Sequence, residues 1–446
     1  MQKKDYWKKS ISIAWPALLE FFFISIADII DTFMVSGMGP SAVAAIGLTT
    51  QPKFIALSFF FAINAAVSAL VARRQGEGDR TEANRTLITA IYIVIFFVIL
   101  VDLLMMPFLS PILKFAGSNP ETHNLSISYF QIIMGGLIFN ALAMVINAAH
   151  RGCGNTQIAF VSNLVSSIVN MTFNYLLIYG NLGFPALGIR GAAIATVLGT
   201  VVATIMCLLS LTKKDSYINF KEIIKAKYAY SKTIAKSIAS LGFNIFVENI
   251  SARIGFMITA ITAAGLGTEI FAAHNVGMNL LSLTFAFGNG MQVAAIALSG
   301  NALGADDKEG AKIYGKVCQQ IGFIISVVVS IILIVFGRNI FGLFFKDQHI
   351  IDYGVIIARF LTLIVLLQIS QTIYGGCLRA AGDVKYTLAV ALISVTFIRS
   401  AVTLFTVHIL GMGLAGIWTG ILADQTSRFV TLRYRFYQGD WVNKKI

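Results

Sequence analysis

The chain has 446 residues, of which 57% are hydrophobic and only 12% are Asp, Glu, Lys or Arg, against about 25% charged residues in a soluble globular protein. Mean hydropathy is +0.78. So much apolar surface cannot be hidden inside a water-soluble globule of this size, which excludes a soluble enzyme, a nucleic-acid binder and a disordered chain and puts the protein in a bilayer.

The first nine residues are basic and lead into apolar sequence without a small-residue cleavage site, so the opening segment reads as a retained membrane helix rather than a signal peptide. A spanning helix needs roughly 20 mostly apolar residues. That length predicts twelve spans, over 11–36, 53–73, 87–113, 125–148, 157–180, 187–212, 236–263, 280–302, 314–344, 352–377, 385–410 and 413–436. Gly, Pro, Asn and charged residues mark most of the joints, as in Gly37-Met38-Gly39-Pro40 and Gly76-Glu77-Gly78-Asp79. Trp7 and Trp441 lie beside lysines just outside the first and last spans, where interfacial anchors would stand.

Lysines and arginines set the orientation. With the N-terminus in the cytoplasm, 25 of the 34 fall on the cytoplasmic side and 5 (Lys53, Lys114, Arg190, Arg338, Lys346) on the other. The remaining four, Arg253, Arg359, Arg399 and Arg428, fall within or near spans. This bias predicts both termini inside, in an inner (plasma) membrane. It also explains the net charge of +13 by attraction to anionic lipid headgroups rather than to nucleic acid.

Sliding the second half over the first by one constant offset, without gaps, superimposes Glu20 on Glu248, Gly39 on Gly267, Gly76 on Gly304 and Asp79 on Asp307. Further along, Arg151 falls on Arg379, Gly154 on Gly382 and Gly188 on Gly416. The ordered series predicts an all-α membrane protein of two six-helix lobes, 1–212 and 236–446, joined by a lysine-rich cytoplasmic linker over 213–235. Six is even, so the repeats are parallel, an architecture of secondary transporters. All seven prolines lie in the first half. Pro16, near the start of span 1, is read either as a hinge or as an ordinary first-turn proline.

An ionisable group in mid-membrane costs about 2.5–3.5 kcal/mol on insertion scales and is a functional candidate by default. Span 1 carries Glu20, Asp28 and Asp31. At 100° per residue Glu20 and Asp31 point within about 20° of each other, while Asp28 points elsewhere. Span 5 offers Asn170 and Asn174, one turn apart, and span 6 offers Thr196; the plain alternative for these three is hydrogen bonding between helices. The second lobe has its own polar group: Glu248 and Arg253 on span 7, Gln292 on span 8, Gln368 on span 10, Arg399 on span 11, Asp424 and Arg428 on span 12. Asp424 and Arg428 are spaced i, i+4 and read as a structural salt bridge. The four cysteines and five histidines are scattered, so no disulfide framework, zinc or haem set is expected. No phosphate-binding loop motif occurs, and no cofactor is expected.

Asp31-Thr32-Phe33-Met34-Val35-Ser36-Gly37-Met38-Gly39, followed by Ala44-Ala45-Ile46-Gly47, resembles the first-helix signature of the multidrug and toxic compound extrusion (MATE) family. His150-Arg151-Gly152-Cys153-Gly154-Asn155-Thr156 and its partner Leu378-Arg379-Ala380-Ala381-Gly382-Asp383 are similar to further family landmarks, as is Gly188-Ile189-Arg190-Gly191 with the residues up to Thr196. The resemblance covers essentially the whole chain. It implies a V-shaped antiporter, not an enzyme, that expels organic, often cationic compounds in exchange for H⁺ or Na⁺. It casts Asp31 as the coupling carboxylate, Pro16 as the bend of its helix, and Asn170, Asn174 and Thr196 as polar neighbours that complete an H⁺ or Na⁺ site with Asp31. One branch has Asp where this chain has Asn174. Glu248 resembles the second-lobe glutamate of another branch, whose aspartate on span 10 appears here as Gln368. Small organic molecules and the bilayer are the expected partners, and a monomer the expected state. The rival reading is a carrier of lipid-linked oligosaccharide or lipid from the same superfamily, which Arg253, Arg399 and Arg428 would suit.

Overall fold

The structure is a computed structural model, and it describes residues 3–213, 216–225 and 230–444. The chain is helical from end to end. In order come α1 (Lys3–Ser36), α2 (Pro40–Gly76), α3 (Arg80–Met105), α4 (Leu109–Phe115), α5 (Pro120–Gly135), α6 (Leu137–Gly152), α7 (Thr156–Tyr179) and α8 (Ile189–Ser210). The second half runs through α9 (Phe220–Lys225), α10 (Lys232–Gly265), α11 (Thr268–Gly304), α12 (Lys308–Phe344) and α13 (Gln348–Ala380). It ends with α14 (Val384–Ala391), α15 (Arg399–Leu404) and α16 (Gly413–Gln438), π-helical turns over Leu392–Ile398 and Phe405–Ile409 making one broken span of α14 and α15.

Among the described residues, ten helices are long and apolar enough to cross a membrane, and α5 with α6, bent by 46°, makes an eleventh. The twelfth expected span is α16, whose apolar composition is diluted by Asp424, Arg428, Arg433 and Arg435; the first two pair at 2.7 Å. Twelve spans in two halves are consistent with this fold.

Where boundaries move, the cause is local. Span 2 begins at Pro40 rather than 53, because the Pro52-Lys53 pair, which looks like a joint, is absorbed into continuous helix. Its repeat partner, span 8, likewise begins early, at Thr268 rather than 280. Span 3 stops at Met105, since Pro107 cannot supply the backbone donor a continuing helix needs; residues 109–115 form the separate α4. Span 4 bends where Gly135 and Gly136 adjoin. Trp441 is no interfacial anchor: it is fully buried, stacked on Phe436 and donating from Nε1 to Phe436 O at 2.9 Å.

The repeat is visible in the helix boundaries. α2 and α11 are both 37 residues long and begin and end at repeat-related positions. Each is entered through a glycine at positive φ, Gly39 at +98° and Gly267 at +114°, a backbone region that only glycine enters freely. Asp79 caps α3 by accepting from Glu82 N at 2.9 Å, and its equivalent Asp307 caps α12 by accepting from Gly310 N at 2.7 Å.

The chain divides into two compact units, one of residues 19–242 and the other of residues 1–18 with 243–446. In the first, α7 and α8 run in close contact because Gly191 and Gly199 leave room for the facing backbone. A Cβ at Gly199 would stand 2.7 Å from Ser166 O. Part of the linker is folded onto the start of α3: Arg80 donates to Tyr217 O at 2.8 Å and Ser216 O at 2.7 Å, and pairs with Glu222 at 2.8 Å. Residues 214–215 and 226–229 of the linker lie outside the described residues. In the second unit α11, α12, α13 and α16 form the core around Trp418, Ile369 and Leu361.

Candidate functional site

Asp31 lies in the last turns of α1, half-buried, on the face that meets α7. The end of this helix is fixed by Tyr179, whose hydroxyl donates to Met34 O at 2.7 Å. Gly37 makes that contact possible, since a Cβ there would overlap the tyrosine hydroxyl at 2.2 Å. Asn170 and Asn174 stand one turn apart on α7 and are both buried. Asn174 Nδ2 donates to Asp31 Oδ1. With its amide nitrogen turned to the same oxygen, Asn170 donates at 2.8 Å, while its own oxygen accepts from Thr196 N at 3.1 Å and lies 3.2 Å from Thr196 Oγ1. Asn174 Oδ1 is buried without a hydrogen-bond partner. The four residues singled out from the sequence thus come together as one cluster. One carboxylate is held by two amide donors, and a spare carbonyl oxygen lies next to it. Such a group can exchange a proton or accept a small cation by changing what its oxygens bond.

Lys53 is not among the candidates that the sequence suggests. It stands in the interior of α2, not in an outer loop, and its ammonium charge acts on both Asp28 and Asp31. It lines a cavity with Leu57, Asn140, Thr196 and Thr200, and so shares Thr196 with the Asp31 cluster. The signal that could have found it is the repeat: its counterpart, Leu281, lies inside an apolar run.

The second-lobe residues do not converge on one site. Glu248 accepts from Arg379 Nη2 at 2.5 Å and from Thr387 Oγ1 at 3.3 Å. Gln368, wholly buried, accepts from Thr284 Oγ1 at 2.7 Å. Gln292 donates to Thr372 O at 3.3 Å and ties α11 to α13. Arg253 is half-buried with its guanidinium 5.7 Å from the Phe256 ring centre. Asp424 is wholly buried between Arg428, at 2.7 Å, and Arg399, at 3.5 Å. Pro16 is buried in the interior of α1, well past the first turn, because the helix begins at Lys3 rather than near residue 11.

Spanning helices in two sequence-related halves, with a half-buried carboxylate held by two buried amides in one of them, define a multi-pass membrane transporter. A model of the MatE family matches residues 16–176 and 244–405, one match in each half. The chain belongs to that family, a family of transporters and not of enzymes. It is 25% identical over 98% of its length to a probable multidrug resistance protein NorM of Thermotoga maritima, covering 94% of that protein. A second NorM, from Mannheimia succiniciproducens, is 26% identical over 98% of this chain and 96% of its own. Among solved structures, MATE in complex with MaD3S aligns with a TM-score of 0.91 at 21% identity, over 99% of this chain and 97% of that one. A MOP superfamily transporter from Pyrococcus furiosus, described as having a binding pocket of reverse polarity, aligns with a TM-score of 0.90, also at 21% identity and over 99% and 97% of the two chains. These two likenesses concern the fold.

Proposed function

We propose that this protein is a secondary active antiporter of a bacterial-type inner membrane that exports organic, often cationic compounds in exchange for H⁺ or Na⁺. The observation that carries this reading is Asp31, a carboxylate in a membrane-spanning helix whose Oδ1 is held by Asn170 and Asn174. Relatives along the whole chain are named as multidrug resistance proteins, which supports small organic molecules as cargo.

In the proposed cycle Asp31 takes up its ion from the outer side. The ion occupies or protonates the oxygen that the amides now share, so the bonds to α7 rearrange, and that altered packing disfavours bound cargo. Coupling follows only if the ion binds one state better than the other. One charge moving down 100 mV supplies about 2.3 kcal/mol, enough for roughly a 50-fold gradient of cargo. We take both termini to be cytoplasmic and the working unit to be a monomer.

A lipid-carrier reading draws on the basic residues Lys53, Arg253, Arg399 and Arg428. Against it, Lys53 faces two carboxylates and Arg399 and Arg428 flank a third. The test is export of ethidium from proteoliposomes under an imposed proton or sodium gradient. Asp31→Asn, expressed and folded normally, should lose gradient-driven export under either ion. Undiminished export by that variant would remove Asp31 from the mechanism.

A further inference from the structure

Carrying the Asp31 cluster across the repeat lands on a cluster in the second lobe with the same outline and a different occupant. Asp31 maps to Thr259, Asp28 to Phe256, Thr196 to Asp424 and Thr200 to Arg428. The first three surround a single side chain, Arg399. Its Nε donates to Thr259 Oγ1 at 3.0 Å, its Nη1 lies 3.5 Å from Asp424 Oδ2, and its guanidinium carbon stands 4.4 Å from the Phe256 ring centre. Both Arg399 and Asp424 are 0% exposed. The carboxylate has moved from the first helix of the repeat to the last, and the hydroxyl has moved the other way.

The approach of the helices is built for this arrangement. A Cβ at Gly255 would meet Val395 O at 2.1 Å, so glycine there lets α10 lie against Leu392–Ile398 and brings Thr259 to Arg399. A structural ion pair does not account for the guanidinium. Arg428 alone clamps Asp424, with Nε 2.7 Å from Oδ1 and Nη2 2.9 Å from Oδ2, which already balances its charge. Arg399 adds a second, wholly buried positive charge that neutrality does not require, and a surplus charge in low dielectric is costly. A carboxylate, a hydroxyl and an aromatic face gathered around a cation are the parts of a cation site.

We propose that Arg399 is a tethered cation, standing in the second lobe where the first lobe takes up its coupling ion, so that ion exchange is confined to the first lobe. This rests on the reading of Asp31 as the coupling carboxylate. The second lobe is then permanently in the loaded condition, and one ion is exchanged per cycle.

The test is chemical rescue in proteoliposomes exporting ethidium. Arg399→Ala should export at least about tenfold more slowly than the wild type. Millimolar guanidinium chloride should restore most of that loss saturably, and should raise the thermal midpoint of the variant but not of the wild type. Export at the wild-type rate, or a defect in folded protein that guanidinium leaves unchanged, overturns the proposal. If Arg399→Ala does not fold, Arg399→Lys, which keeps the charge but loses the planar fork, is expected to export at least about threefold faster than Arg399→Gln; equal rates for the two overturn it. Asp31→Asn separates the two ideas. Gradient-driven export persisting in that variant refutes exchange in the first lobe, while guanidinium dependence at residue 399 is read independently of it.

Discussion

Arg379 donates to Glu248 at 2.5 Å, and at the matching positions of the first half Arg151 donates to Glu20 in the same way. In each half the pair ties the long leading helix, α1 or α10, to the end of the helix that precedes the Gly154 or Gly382 turn. Asn163 also donates to Glu20, at 2.6 Å, and Thr387 to Glu248. Glu20 is 1% exposed, and its arginine is the cation that makes such burial tolerable. Removing the partner of the buried Glu20 leaves it uncompensated, which costs about 3–5 kcal/mol; the loss at Glu248, which is less deeply buried, should be smaller. Arg151→Gln and Arg379→Gln should each lower the thermal midpoint of the purified protein. Neutralising the partner as well, with Glu20→Gln or Glu248→Gln, should recover most of the loss. A midpoint unchanged in the arginine variants would show that the pairs are not stabilising.

These pairs also show how far the sequence could be read. The repeat matches Glu20 with Glu248 and Arg151 with Arg379, and it matches the caps Asp79 and Asp307, but a series of matches does not say which residues touch. Glu248 reads as a member of the second lobe's polar group because it is a carboxylate within span 7; only the packing of α10 against the end of α13 assigns it to Arg379. Asp31, Asn170, Asn174 and Thr196 are legible because charge in a span is expensive and the amides share one helix face. Lys53 is not, since a lysine after a proline carries the local signature of a loop, and only the continuous helix places it inside α2.

Gly199 sets the distance between the two helices that build the Asp31 cluster. A Cβ there would lie 2.7 Å from Ser166 O and 3.2 Å from Asn170 Cβ. The first contact is with backbone, which cannot swing aside. Gly199→Ala should therefore push α8 from α7, lengthen the contact between Asn170 and Thr196, and slow export by roughly tenfold. The protein should also melt at a lower temperature. Normal export by a folded Gly199→Ala protein would mean that the spacing of α7 and α8 does not govern the site.

Lys53 places one positive charge beside Asp28 and Asp31. At an effective dielectric of about 20, a unit charge roughly 8–16 Å away is worth about 1–2 kcal/mol. Lys53→Met should make this part of the first lobe more negative and tighten binding of a monovalent cationic dye by about fivefold to thirtyfold. A neutral substrate should be unaffected. Export rates measured over a range of dye concentrations separate the two, and an equal change in apparent KM for charged and neutral dyes would assign Lys53 a packing role instead.

The orientation expected for the chain rests on where its basic residues stand. Arg73, Arg74, Arg80 and Arg85 flank the turn between α2 and α3, and Lys308, Lys312 and Lys316 begin α12, whereas the α3–α5 connection carries Lys114 alone. Positive charge is retained on the cytoplasmic face during insertion, so the turn before α3 and the C-terminus should both be cytoplasmic. Green fluorescent protein fused after residue 446 should fluoresce and alkaline phosphatase at the same place should be inactive. Phosphatase inserted between α4 and α5, near Gly117, should be active, because that connection would face the outside. The opposite pattern would invert the direction from which Asp31 receives its ion.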